Sequence, residues 1–286
     1  MSRLPYLHAA VGIAALCALD AAVKHLTFAY AVLFVTFGRY VAGTVIAALV
    51  WWAQGAPPFT AAMARGHALR GVLIAVTAAL FFFAIHTLTL AEAITLSFTA
   101  SLMIPPLAQL FLGEAMRPRV LAAGVLGLAG VVVTVQGAPS FSGDRLPALA
   151  AILAASLTYS LAAIVMRARA AADGATRLTL SGTLVPMLLL SPFAIGQPVP
   201  HAVDWPWFIA AGVLGNIGIQ MFSRAYAQVE VQRLGILEFT ALPWAALFGW
   251  LVFGESVRVA VWLGAVIILA ACVWAARGDP PAALGV

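Results

Sequence analysis

Of the 286 residues, 64% are hydrophobic and only 9% are charged, and the mean hydropathy is +1.04. A soluble domain carries about 25% charge, so this composition excludes a water-facing surface and requires a bilayer around the chain. The net charge of +5 does not mark a nucleic-acid partner, because the arginines stand singly in apolar sequence and form no basic stripe.

A spanning helix needs about 20 mostly apolar residues. The sequence predicts ten, near 6–27, 30–52, 69–89, 92–112, 119–136, 146–167, 177–196, 204–223, 234–253 and 258–276. The first reads as an uncleaved span, since Asp20 and Lys24 fall where a signal-peptide cleavage region would lie. These two residues share a helix face and can pair. Arg39, within span 2, is costly in hydrocarbon and has to face protein or water. It can bind a carboxylate, act as a gate, or pair with Asp20 or Glu92. The break at 53–68, with Pro57 and Pro58, reads as a loop.

Several later spans carry polar or aromatic residues four apart, which places both on one face. They are Phe82 and His86 in span 3, Ser97 and Ser101 in span 4, and Ser156 and Ser160 in span 6, with Tyr159 adjacent. Asn216 and Gln220 follow in span 8, and Thr240 and Trp244 in span 9. Each also has a plain reading: hydroxyls bond back to their own helix, and a histidine can satisfy a carbonyl. Pro105, Pro106, Pro186 and Pro243 permit kinks. Gly124, Gly127 and Gly130 give span 5 a small-residue face for close packing, or for a dimer contact shared with span 10. Cys17 and Cys272 imply neither a disulfide nor a metal site.

Arginine and lysine counts orient the chain. With the N-terminus in the cytoplasm, eleven fall on the cytoplasmic side and three outside (Lys24, Arg145 and Arg258). Both termini are therefore expected to be cytoplasmic. One stretch is written twice. Leu112-Gly113-Glu114 returns as Phe253-Gly254-Glu255, 141 residues later, and Leu96, Phe98, Thr99 and Ala100 return as Leu237, Phe239, Thr240 and Ala241. Five spans per half make the repeat inverted. The expected fold is an all-α membrane protein of ten transmembrane helices, with halves 1–137 and 138–286 and a solute site between them near the midplane. Gly113 and Gly254 permit sharp turns, and Glu114 and Glu255 are expected to head the helices that follow.

The order and duplication of Pro105, Leu112, Gly113, Glu114, Gly124, Gly127 and Gly130, then Pro243, Phe253, Gly254, Glu255 and Gly264, resemble the drug/metabolite transporter superfamily. In particular they are similar to its ten-helix members built from two EamA-type halves. Within it the chain looks most like bacterial inner-membrane exporters of aromatic amino acids. The resemblance implies a secondary transporter that needs no cofactor, works by alternating access, and acts as a monomer or as a homodimer through helices 5 and 10. On this reading a cavity between the halves gathers Phe82, His86, Ser97, Ser101, Tyr159, Ser160, Asn216, Gln220, Thr240 and Trp244. Aromatic walls suit an apolar side chain, and the polar groups suit an ammonium and a carboxylate. Asp20, Lys24 and Arg39 are the candidates for gating or charge pairing. Catalysis is not expected, since the sequence holds no HExxH, no GxSxG and no phosphate-binding loop.

Overall fold

The computed structural model describes residues 4–112, 118–135, 145–226 and 240–276. Its elements are helices: α1 (Leu4–Thr27), α2 (Val32–Ala53), α3 (Ala61–Thr87), α4 (Leu90–Ser97), α5 (Thr99–Leu112), α6 (Pro118–Val135), α7 (Arg145–Asp173), α8 (Ala175–Leu190), a 3-10 turn (Ser191–Ala194), α9 (Trp205–Tyr226), α10 (Ala241–Phe253) and α11 (Val259–Ala276). Helices are the form that satisfies every backbone group within one segment, as a bilayer demands. Among the described residues, six stretches are helical, long and apolar enough to cross a membrane: Ala10–Thr27, Val32–Ala53, Ala61–Thr87, Leu90–Phe111, Arg145–Met166 and Ala175–Ala194. Apolar side chains face outward along these stretches, as at Leu49, Leu110 and Leu188, and along α6 and α11, as at Val125, Leu128 and Val266.

The fourth predicted span is present as Leu90–Phe111, with one break in its course between α4 and α5. Its ladder breaks at Phe98, whose N–H is shared between the carbonyls of Ile94 and Thr95, both at 3.3 Å. On either side, the hydroxyls of Ser97 and Thr99 donate to the carbonyls of Ile94 and Leu96, each at 2.8 Å. Such back-bonding competes with the helix ladder and bends it. The break therefore precedes the Pro105-Pro106 pair, which lies inside α5.

The core centres on α1, the most enclosed of the six stretches. Leu19, Ala22, Val23 and Leu26 pack among Tyr40, Phe82, Ile85, Leu90, Leu96 and Ile152. Glycines set the closest helix approaches. A Cβ on Gly218 of α9 would fall 2.6 Å from the Leu16 side chain of α1. One on Gly212 would fall 2.5 Å from Ala42 and 2.8 Å from the Gly43 nitrogen of α2. α3 packs on α7 and α8, α2 on α8 and α9, and α6 on α11. In the last pair the glycines meet, since a Cβ on Gly264 would lie 2.7 Å from the Gly130 carbonyl. Two of the three glycines on the small-residue face of α6 are packed within the chain, Gly130 by α11 and Gly127 by Leu102 of α5, while a Cβ on Gly124 would meet nothing within 4 Å.

Candidate functional site

Most of the ionic contacts gather at one end of the bundle, where α1, α3 and α10 finish and α4, α7 and α11 begin. Lys24 pairs with Glu255, and its ammonium also donates to the Leu88 carbonyl at 2.6 Å. The second Glu255 oxygen accepts the Leu90 N–H at 3.0 Å. Lys24 also lies 5.3 Å from the Phe253 ring, a cation–π distance. Beside this pair Glu92, 1% exposed, accepts from Arg145 and, at 3.0 Å, from Arg258. Two ionic links therefore join α1, α4, α7 and the segment between α10 and α11. At this end Tyr30 donates to Asp204 at 2.6 Å and accepts the His201 N–H at 2.9 Å, fastening the α1–α2 turn to the start of α9.

These contacts correct two expectations. Lys24 does not pair with Asp20; its partner is Glu255, 231 residues away. Glu255 does not head the next helix. Gly254 ends α10 with φ 65°, the left-handed conformation that glycine adopts without strain. That turn aims the Glu255 side chain back at α1 and α4. The first copy of the turn, Gly113 and Glu114, lies outside the described residues, as do Leu237, Glu238 and Phe239.

A second ionic group lies toward the opposite end, between α3, α7 and α8. The His67 ring contacts Asp173 at 3.0 Å through Nε2 and Ser181 at 2.6 Å through Nδ1. Buried Arg70 donates to the Leu178 carbonyl at 2.9 Å. Near the ends of the same helices Arg177 donates to the Pro58 carbonyl at 3.0 Å.

Between these ends lies a narrow cleft lined by Arg39, Tyr40 and Gly43 of α2, Thr183 of α8, and Gly212, Gly215 and Asn216 of α9. Tyr40 and Thr183 are each eight residues into their helices, and Asn216 is eleven into α9. At 1.5 Å per residue these depths are about 12 and 17 Å, near the middle of a hydrocarbon core about 30 Å thick. The Arg39 guanidinium lies over two rings, 4.5 Å from that of Tyr40 and 5.1 Å from that of Phe82. Asp20 of α1 is within electrostatic reach of it.

Asn216 is anchored by both its amide hydrogens, donated to the carbonyls of Gly43 at 2.8 Å and Gly212 at 3.1 Å. Two carbonyl acceptors fix which side of the amide is nitrogen. Its buried Oδ1 then has no partner among the described residues, and neither do the hydroxyls of Tyr40 and Thr44 or the Gln220 nitrogen. Buried polar atoms are rarely left so.

Of the expected site residues, the structure brings together Arg39, Phe82 and Asn216, with Gln220 one turn along α9. The others are dispersed. His86 is in the last turn of α3 and exposed, 3.3 Å from the Thr27 hydroxyl and tilted at 44° against the Phe28 ring, 5.5 Å away. Ser97 and Ser156 bond back to their own helices. Ser160 does so too and reaches the Ala100 carbonyl at 3.0 Å. Ser101 is half-buried on α5, and Tyr159 is 47% exposed on α7. Thr240 immediately precedes α10, where Trp244 stacks on Phe248. Sequence reasoning missed Tyr40 and Thr183 in the cleft, and Arg145 and Arg258 beside Glu92. The neighbourhood of Arg39 was a signal for Tyr40; no local signal joined Glu92 to residues 53 and 166 positions away.

Apolar helices enclose a buried layer of charge, aromatic rings and polar atoms without partners among the described residues, and together with the family match they make the chain a multi-pass membrane transporter acting on a small molecule. The chain belongs to the EamA-like transporter family, whose model matches residues 6–136 and again 146–277. It is 28% identical to a riboflavin transporter of Rhizobium johnstonii over 74% of this chain and 70% of that one. It is 24% identical to the pseudopaline exporter CntI of Pseudomonas aeruginosa over 73% and 74% of the two chains. A solved crystal structure shares the fold, with a TM-score of 0.65 and 19% identity over 94% of this chain and 96% of the other.

Proposed function

We propose that the chain is a secondary exporter of the bacterial inner membrane. It moves small metabolites out of the cytoplasm, amino acids with aromatic or apolar side chains in particular. The two halves, 1–137 and 138–286, form an inverted repeat and rock about a site between them. Both termini are cytoplasmic, and the end bearing Lys24 and Glu255 is the outer one. The observation that carries this reading is the mid-depth cluster of Arg39, Phe82 and Asn216, drawn from both halves. An unpaired cation in a transmembrane helix marks a solute path by default.

The packing supports the repeat. Under the offset of 141, span 1 corresponds to span 6 and span 3 to span 8. α1 packs on α9 as α7 packs on α3, while α2 and α6 each pack on their own counterparts, α8 and α11. The ionic links at the outer end fit a state closed to the outside. A second reading follows from the riboflavin transporters among the relatives: a planar heteroaromatic solute held against the rings of Tyr40 and Phe82.

Flux into and out of liposomes holding the purified protein tests both. Saturable transport of phenylalanine or tryptophan, competed by other apolar amino acids, is the expected result. Transport of riboflavin with no amino-acid flux replaces the first reading by the second. Repeating the measurement with and without a pH gradient distinguishes proton-coupled from uncoupled passage.

A further inference from the structure

The cleft at Arg39 specifies more than a cation site. Three groups converge there with complementary demands. Arg39 makes no hydrogen bond and no ion pair within 4 Å among the described residues, so its five N–H donors are available beside the Tyr40 and Phe82 rings, with Asp20 in electrostatic reach but not in contact. Among the described residues, Tyr40, 2% exposed, holds a buried hydroxyl without a partner, and Asn216, 5% exposed, holds a buried carbonyl oxygen without one. The Asn216 amide cannot turn to serve as a donor, because both its hydrogens are held by the Gly43 and Gly212 carbonyls. The cleft therefore presents a positive donor fork, a hydroxyl, and one fixed acceptor.

We infer that Arg39, Tyr40 and Asn216 are the seat of the solute's head group, and that this head group is a carboxylate bearing an adjacent N–H or O–H donor. Arg39 takes the carboxylate through two parallel hydrogen bonds, the geometry its planar fork favours. The Tyr40 hydroxyl donates to the same anion. Asn216 Oδ1 accepts from the neighbouring ammonium or hydroxyl. α-Amino acids and α-hydroxy acids share this chemistry; riboflavin has no carboxylate. The inference rests on the reading of the chain as a metabolite transporter, and it sets the solute class.

The cleft also suggests how binding couples to movement. In this state it is narrow, with room for about one water. Its walls are close because Gly43 and Gly212 let α2 and α9 approach. A carboxylate seats only as these helices part, and they belong to opposite halves. A solute that binds the parted state better shifts the population toward it.

The test is thermal unfolding of the detergent-purified full chain with a matched panel: phenylalanine, phenyllactate, phenylpropionate, phenylalaninamide and riboflavin. Flux of the same compounds is measured in liposomes. Phenylalanine or phenyllactate is expected to raise the melting temperature, and phenylalaninamide and riboflavin are not. Arg39→Gln is expected to abolish the shift and raise the transport KM tenfold or more, while Arg39→Lys retains part of both. Asn216→Leu is expected to keep the preference for acid over amide but to erase the advantage of phenylalanine or phenyllactate over phenylpropionate. Whichever of phenylalanine and phenyllactate acts at lower concentration identifies the donor as ammonium or hydroxyl. If Arg39→Gln does not fold, the acid-to-amide comparison on the unaltered chain and the Arg39→Lys variant decide the matter. The inference is overturned if no acid stabilises the unaltered protein, if amide and acid act equally, or if riboflavin alone does. Amino-acid flux without an acid-dependent shift removes the inference and leaves the transporter reading. An acid-dependent shift without amino-acid flux does the reverse.

Discussion

Glu255→Gln isolates the ionic link at the outer end. Glu255 divides its two oxygens between Lys24 and the Leu90 N–H. The substitution keeps an oxygen for Leu90 and removes only the charge opposite Lys24. That lysine side chain is 4% exposed and retains the Leu88 carbonyl and the Phe253 ring. Breaking a buried ion pair by altering one partner costs about 3–5 kcal/mol. The contacts that survive put this case at the lower end, about 3 kcal/mol. If the link exists only in the outward-closed state, the open population rises about 100-fold, at about 1.4 kcal/mol per factor of ten. The assay is maleimide labelling from the outer side of Ala91→Cys, a position 2% exposed on α4 behind the link. Cys17→Ser and Cys272→Ser form the background. Labelling is expected to accelerate toward that factor. An unchanged rate refutes the reasoning. So does additivity of Lys24→Gln and Glu255→Gln in the double variant, because two ends of one link are non-additive.

Glu92→Gln leaves Arg145 and Arg258 facing an uncharged amide and is expected to lower stability by about 3–5 kcal/mol, read as a fall in melting temperature. Arg258→Gln is expected to cost less, since its side chain is 27% exposed and Arg145 remains on Glu92. Gly264→Ala drives a methyl group to 2.7 Å from the Gly130 carbonyl; such overpacking costs about 1–3 kcal/mol. Gly124→Ala meets nothing within 4 Å and is expected to leave the melting temperature unchanged.

How much of this was legible beforehand differs by feature. Six of the predicted spans read well among the described residues, since a run of apolar residues long enough to cross a bilayer needs no knowledge of its neighbours. Arg39 also stood out, because a guanidinium in such a run demands a reason wherever it points. The faces read poorly. Phe82 and His86, four apart on α3, were grouped together, yet one is buried under Arg39 and the other is exposed in the last turn. These helices are apolar on all sides, so no stripe tells which side meets protein and which meets lipid.

The sequence by itself determined that the chain lives in a membrane, where six stretches long and apolar enough to cross it lie, and that one arginine falls within a span. Those conclusions follow from transfer energies that each segment carries locally. Only the tertiary structure decided which groups meet. Lys24 had a ready partner four residues away in Asp20, and found another in Glu255 at the far end of the chain. The Gly254 turn aims that carboxylate, and the glycine-lined contact of α2 with α9 leaves Asn216 and Arg39 lining one cleft. Partners of this kind are fixed by helix rotation and approach, and neither is recorded in the spacing of residues along one strand of sequence.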